Sequence, residues 1–323
     1  MKSNTFRKMK MSTSEQKLDE ILQSLRRIEK KLRIVPVQDR DGTVSDFDSS
    51  LAGYAKFARD HLKLEPNTIE NHKSAILRFL NHSGGTITKE AVKAYLEIGE
   101  SDSWKSNQVK ALRKYVRDFL GLGSWIEDFK FSKAGAKIKE IPTDEQLARF
   151  CALLPYQVQM VFLILHNSGL RIGEVLKLRL RDIDIDSAMI NASEIHSGDT
   201  KSSWISFVTK QTAGYLDSYL FSGEVKFGDN AEGTGLFTVS DRYVQQAFKE
   251  ASDKMGISLN PHLLRTVFTE KCGQAGIKDK YVDAFCGRTP KRILAKHYTD
   301  YSPEALRRQY DMVEPYLTLG GLS

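Results

Sequence analysis

The chain has 323 residues, 41% hydrophobic and 28% charged, with 48 Lys/Arg against 41 Asp/Glu. That length suits two domains plus an appendage, and the lack of any 18-residue apolar run argues against a membrane span or a secretory leader. Three cysteines, Cys151, Cys272 and Cys286, share no CxxC spacing; buried, reduced thiols in a cytoplasmic protein are expected, with neither a disulfide framework nor a zinc site.

The first element is a heptad pattern. Leu18, Leu25 and Leu32 fall seven apart, and Ile21, Ile28 and Val35 repeat the interval offset by three. This a/d seam predicts a short coiled coil in a basic segment, residues 1–35, where leucine at a with β-branched residues at d favours more than two strands. A single amphipathic helix packed on the body is the other reading. Residues 1–34 hold ten basic against four acidic side chains, so the remaining body is close to neutral, at 38 against 37. Pro36 ends the helix, and residues 36–49, polar and turn-rich, read as a linker.

Residues 50–129 carry four helical patterns punctuated by turns. LAGYAKFARDHLKL is apolar at Leu51, Tyr54, Ala55, Ala58 and Leu62; TIENHKSAILRFLNHS stops at Gly84-Gly85; AVKAYLEI follows; SWKSNQVKALRKYVRDFLGLG closes at Gly121 and Gly123. They predict a small all-α domain. On the fourth helix Lys110, Arg113, Lys114 and Arg117 line one face, with no acid between Trp104 and Arg117. A duplex phosphate backbone needs such a stripe, although an ordinary solvated face has the same composition. The linker 130–142 adds Lys130, Lys133, Lys137 and Lys139 before Glu140. It serves either to track DNA or simply to keep the chain in solution.

Residues 143–323 form the second domain. Thr143-Asp144-Glu145 caps a helix, QVQMVFLILH is a buried one, and Asn167-Ser168-Gly169 breaks it before RIGEVLKL. IDIDSAMINAS and SWISFV alternate as two strands of a hairpin joined through HSGDTK. Helices then return in YVQQAFKEASDKM, HLLRTVFTEKCGQAG and the segments around Tyr298. The fold class expected is mainly α with a small β-sheet.

Four local contexts carry chemistry: SGLRIGEVLKLRLRDIDID around Arg171, PHLLRTVFTEKCG around His262 and Arg265, CGRTPKR around Arg288, and ILAKHYTDY around Tyr298. Tyrosine can attack a phosphodiester while two guanidiniums hold the phosphate, and the planar arginine fork binds two oxygens at once. Glu174, three residues after Arg171, is placed to orient it. His262 and Arg265, three apart on a helix, share a face. A GxxxxGK[ST] loop and a cluster of acids at metal spacing are both missing, so neither nucleotide nor metal is expected as cofactor.

In order and surroundings these boxes resemble the tyrosine recombinases, and GRTPKRILAKHY looks most like the integrases of archaeal fuselloviruses and related plasmids. The resemblance spans residues 143–310 by motif order and residues 50–128 by domain type. It implies a two-domain clamp on double-stranded DNA, made of a helical core-binding domain and a mixed α/β catalytic domain. Four protomers would synapse two attachment sites and exchange strands through a 3′-phosphotyrosine, with no membrane involved. In that scheme Arg171 and Arg265 clamp the non-bridging oxygens, Tyr298 is the nucleophile and His262 takes the phenol proton. Lys201, in the hairpin turn, protonates the leaving 5′ oxygen. Lys210 competes with Lys201, and Tyr301 with Tyr298. Many family members have Gly-His where this chain has Gly287-Arg288; arginine donates a hydrogen bond there but cannot serve as a base. The tail after Tyr298 reads as helical, docking either on a neighbouring protomer or on its own domain. A type IB topoisomerase, or a non-catalytic DNA-binding protein of the same fold, would share these features.

Overall fold

The computed structural model describes residues 43–99, 101–131, 140–194, 205–223, 234–288 and 299–322. The predicted coiled coil, Lys133, Lys137, Lys139, Lys201 and Tyr298 lie outside them. The chain divides into two compact units, one ending at Ile138 and the other beginning at Lys139.

In the first unit four helices, α1 (Phe47–Asp60), α2 (Pro66–Ser83), α3 (Lys89–Glu97) and α4 (Asp102–Arg113), enclose one core. Side-chain caps start three of them: Asp46, Thr88 and Ser101 each accept an orphan amide of the first turn. Phe79 is fully buried and lies 5.5 Å from the Tyr95 ring. The fourth helix departs from its sequence pattern. From Lys114 to Phe119 it widens into a π-turn, with the Leu120 amide donating to the Tyr115 carbonyl at 2.9 Å. The extra residue in that turn keeps Tyr115, Val116 and Phe119 in the core.

The second unit opens on α5 (Asp144–Ala152), whose Thr143–Gln146 capping box is complete. Helix α6 (Tyr156–Ser168) is buried at every position from Met160 to Ser168 and runs through the core. It ends at Gly169 in the left-handed conformation, and a single turn, α7 (Ile172–Val175), follows. The sheet is antiparallel in the order β1 (Ile183–Asp184), β2 (Met189–Asn191), β3 (Ile205–Phe207). IDIDSAMINAS is therefore two short strands rather than the single strand its alternation predicts. Asp184 turns the chain by accepting from the Ser187 amide at 3.2 Å and the Ser187 hydroxyl at 2.7 Å. A helix the periodicity did not reveal, α8 (Lys210–Leu220), follows directly, capped by Thr209. Then come α9 (Asp241–Met255), α10 (Pro261–Gln274), α11 (Asp279–Phe285) and α12 (Pro303–Leu317).

In the structure α12 packs on its own domain. It buries Leu306, Tyr310, Val313 and Leu317 beside Phe207, Phe268 and Phe285. Beyond it, Gln211 grips Leu319 through both main-chain groups, at 2.8 and 3.2 Å, and Tyr215 donates to the Leu322 carbonyl at 2.7 Å. All three cysteines are buried and unpaired, as expected. Among the described residues no helix is long and apolar enough to cross a membrane.

One polar network knits the end of α6 to its surroundings. Asn167 Oδ1 accepts from the Thr209 hydroxyl at 3.1 Å, Asn167 Nδ2 lies 2.9 Å from His166 Nδ1, and the Tyr310 hydroxyl donates to the Asn167 carbonyl at 3.0 Å. His166 is fully buried, stacked on Phe162, and among the described residues its Nε2 has no hydrogen-bond partner. Burial pushes its imidazole down to about 4, against a smaller opposing pull from Asp144 and with a small push from Lys271. Unfolded, the same imidazole titrates near 6.5. Stability from His166 is therefore complete above about pH 6.5 and is lost as the pH falls toward 4, because the unfolded chain takes up the proton first. Over that window the loss amounts to about 3 kcal/mol. Urea unfolding between pH 4 and 7 should show a correspondingly shallower pH dependence in His166→Leu than in the wild type.

Candidate active site

Arg265 organises the centre. It projects from α10, is 4% exposed, and divides its donors between two turns. Nη1 donates to the Gly169 carbonyl at 2.7 Å, and Nη2 donates to the Cys286 carbonyl. Those turns lead directly into Arg171 and Arg288, so one guanidinium brings three of the sequence-predicted boxes together. Gly169 is at φ +67, and a Cβ there would lie 2.6 Å from the Phe268 ring and 3.2 Å from Cys286 Sγ. Only glycine allows this approach.

Arg171 stands immediately before α7. Its main-chain amide donates to Glu174 Oε2 and its Nη1 to Oε1, both at 2.7 Å, and Glu174 is almost fully buried. This pair fixes the guanidinium while leaving about a third of the side chain exposed. Arg288 is held by Asp283, whose Oδ1 lies 3.3 Å from Nη1 and whose carbonyl accepts the Arg288 amide at 2.8 Å. The electrostatics are uneven. Arg171 and Arg288 each have a carboxylate, whereas Arg265 is bonded to neutral carbonyls and, among the described residues, forms no ion pair. Burial, followed by repulsion from Arg171 and Arg288, holds its guanidinium below the usual range, with Cys286 and Glu174 opposing. An oxyanion arriving here would relieve both penalties.

His262 lies exposed at the second position of α10, one turn before Arg265. Strand β3 joins the same centre, since the Ser206 hydroxyl donates to the Ser168 carbonyl at 2.6 Å. The connection from β2 to β3 includes Lys201 by sequence. Lys210 instead begins α8, exposed, with its amide donating to Glu314 Oε1 at 2.6 Å. Tyr301 is half-buried, with its ring edge-on to Tyr281 at 6.2 Å. Burial raises its phenol above the ordinary value.

The basic stripe of the first unit is more neutral than its sequence suggests. Arg113 Nε pairs with Glu127 at 3.2 Å, Lys114 with Asp118 at 3.0 Å, and Arg117 with Asp118 at 2.6 Å and also with Glu127. Lys110 is exposed and bonded to the neutral Asn107, and Lys130 is exposed. The sequence reading did not include Asp283, the Gly169 and Cys286 carbonyls, or Ser206. The Ser-Gly break before Arg171 was a visible signal for one of them. The Cys286 carbonyl and Ser206 join residues far apart in the chain, and Asp283 meets Arg288 at a spacing of five that matches no helical repeat.

A model of the phage integrase family matches residues 143–305. The chain is 24% identical over 250 residues to the tyrosine recombinase XerA of Thermococcus onnurineus, covering 75% of this chain and 88% of that protein. A second XerA, of Saccharolobus solfataricus, is 27% identical over 152 residues, covering 47% and 48%. Among solved structures, the Tn1549 transposon integrase in complex with circular intermediate DNA superposes with a TM-score of 0.59 at 17% identity, covering 80% of this chain and 98% of that one. Lambda integrase residues 75–356 bound to DNA gives 0.59 at 16% identity, covering 78% and 95%.

The Gly169 contact yields a direct test. Gly169→Ala should destabilise the second unit by about 2–4 kcal/mol through backbone strain and overpacking. Gly173→Ala, whose Cβ meets nothing within 4 Å, should be neutral or slightly stabilising. Urea midpoints of the two variants distinguish the cases.

Proposed function

The chain belongs to the phage integrase family, and from that premise we propose that it is a site-specific DNA recombinase that breaks and rejoins strands through a 3′-phosphotyrosine. The observation that carries this reading is the buried Arg265 bracing the turns of Arg171 and Arg288, three guanidiniums gathered with no metal ligand among them. The names of the relatives agree: the XerA proteins are tyrosine recombinases, and the solved structures include integrases on DNA.

In this mechanism Arg171 and Arg265 hold the non-bridging oxygens of the scissile phosphate, and Arg288 donates a further hydrogen bond. Charge neutralisation at the five-coordinate phosphorus is then supplied by preorganised donors. The Tyr298 oxygen forms the new bond to phosphorus as the bond to the 5′ oxygen breaks. His262 accepts the phenol proton, and Lys201 delivers one to the departing 5′ oxygen. The phosphotyrosine conserves the bond energy, so attack by a 5′ hydroxyl of the partner strand reverses the step without nucleotide or metal. Two observations favour Tyr298 over Tyr301: the burial of the Tyr301 phenol and its ring contact with Tyr281. The placement of Lys210 at the start of a helix, with its main-chain amide bonded to Glu314, rather than in the hairpin connection favours Lys201.

Double-stranded attachment-site DNA is the substrate. Lys110, Lys130, Lys133, Lys137 and Lys139 supply phosphate contacts, and Arg113, Lys114 and Arg117 join them by exchanging Asp118 and Glu127 for phosphate. Assembly is a homotetramer on the recombining sites, as in the lambda integrase tetramer bound to a Holliday junction, with the N-terminal heptads favouring more than two strands. The element it serves is a mobile one, acting in the cytoplasm of the host cell.

Incubation with a nicked suicide duplex carrying the attachment site, without metal, should yield a protein–DNA adduct on a denaturing gel. Tyr298→Phe should lose the adduct while keeping DNA affinity within a few-fold, and Tyr301→Phe should retain it. An adduct persisting in Tyr298→Phe would move the nucleophile, and site binding without any adduct would refute the catalytic reading.

A further inference from the structure

The short helix α11 holds both borders of the segment 289–298. On the near side, Arg288 is tied to Asp283 twice, through its amide at 2.8 Å and its guanidinium at 3.3 Å. On the far side, Lys280 Nζ donates to Thr299 Oγ1 at 3.3 Å, and Tyr281 meets the Tyr301 ring edge-on at 6.2 Å. Three residues of one helical turn, Lys280, Tyr281 and Asp283, thus contact the chain that borders the segment of the candidate nucleophile, at Arg288 before it and at Thr299 and Tyr301 after it.

The base from which they reach is rigid. Val282, Ala284 and Phe285 are buried, and Phe285 packs edge-on against Phe207, Phe268 and Tyr310 at 6.4, 6.1 and 6.0 Å. The helix ends at Cys286, whose carbonyl accepts from Arg265. A continuous path of contacts therefore runs from the guanidinium of the phosphate clamp, through α11, to the residue next to Tyr298.

We propose that Lys280 is a positioning residue for strand cleavage, acting through Thr299 to set the tyrosine segment against the arginine centre. This rests on the recombinase reading above. Lys280 reaches neither phosphate nor phenol in this role. Its ammonium lies 4.9 Å from the Tyr281 ring centroid, so the ring and the Thr299 hydroxyl share one cation. Cutting the link loosens the alignment of nucleophile and phosphate, to which transfer rates are steeply sensitive.

The test uses the full chain as wild type, Lys280→Met, Thr299→Val, the double variant and Lys280→Arg. Hydrogen exchange of peptides spanning 289–301, without DNA, should rise in both single variants and no further in the double. Exchange in α12 should stay unchanged, and Lys280→Arg should restore the wild-type pattern. Single-turnover adduct formation should slow about ten- to hundredfold in Lys280→Met, with DNA affinity unchanged. Unaltered exchange in Lys280→Met would overturn the proposal. So would a loss of affinity with a salt dependence shallower by about one phosphate contact, which would make Lys280 a DNA ligand instead. The exchange arm needs no catalysis, so a wild type that forms no adduct counts against the recombinase reading alone.

Discussion

A single buried cation sets the geometry of the second unit. Arg265 is removed from water, and a guanidinium in that position is tolerable only if its N–H groups are met. Two are met by the carbonyls of Gly169 and Cys286, which lie buried at the C-terminal caps of helices α6 and α11. The helix ends thus gain a donor they would lack, and the guanidinium gains acceptors without a carboxylate cancelling its charge. Among the described residues the structure shows no other acceptor for its five-donor fork.

The rest of the centre follows from that constraint. Gly169 must be glycine because Phe268 and Cys286 crowd the space where a Cβ would sit. Arg171, beginning two residues later, is locked by a buried carboxylate through main chain and side chain together. Asn167, Ser168 and Tyr310 tie the same turn to β3, α8 and α12. Docking of the C-terminal helix on its own domain is therefore coupled to the geometry of Arg171. Displacement of α12 would cost the Tyr310–Asn167 bond as well as its apolar packing.

Much of this was legible in the sequence. Helical periodicity located the four helices of the first unit, the Thr143 cap and the glycine break after α6, because local signals determine local structure. The motif order named Arg171 and Arg288, whose turns meet at Arg265, whereas Lys201 and Tyr298 lie outside the described residues. Less legible was how charges are matched across distance. Arg113 and Arg117 meet Glu127, and Arg288 meets Asp283, at spacings with no period, while Asp118, just past the stripe and four residues from Lys114, was a readable partner. The split of IDIDSAMINAS into β1 and β2 was hidden because an Asx turn at Asp184 interrupts an alternation that suggests one strand. Helix α8 was overlooked because glycine and small polar residues dilute its pattern, although Thr209 at its cap was a readable sign.

The central proposal is that Arg265 holds two backbone carbonyls and the phosphate at once, whereas Arg171, paired with Glu174, braces no neighbouring turn and serves the phosphate. A suicide duplex with a methyl group in place of one non-bridging oxygen at the scissile phosphate separates these roles, because it carries less charge to be clamped. Single-turnover cleavage of that duplex should recover substantially in Arg171→Ala and should stay low in Arg265→Ala, whose Gly169 and Cys286 turns are no longer held. Equal recovery in the two variants would contradict the account and reduce Arg265 to a source of charge.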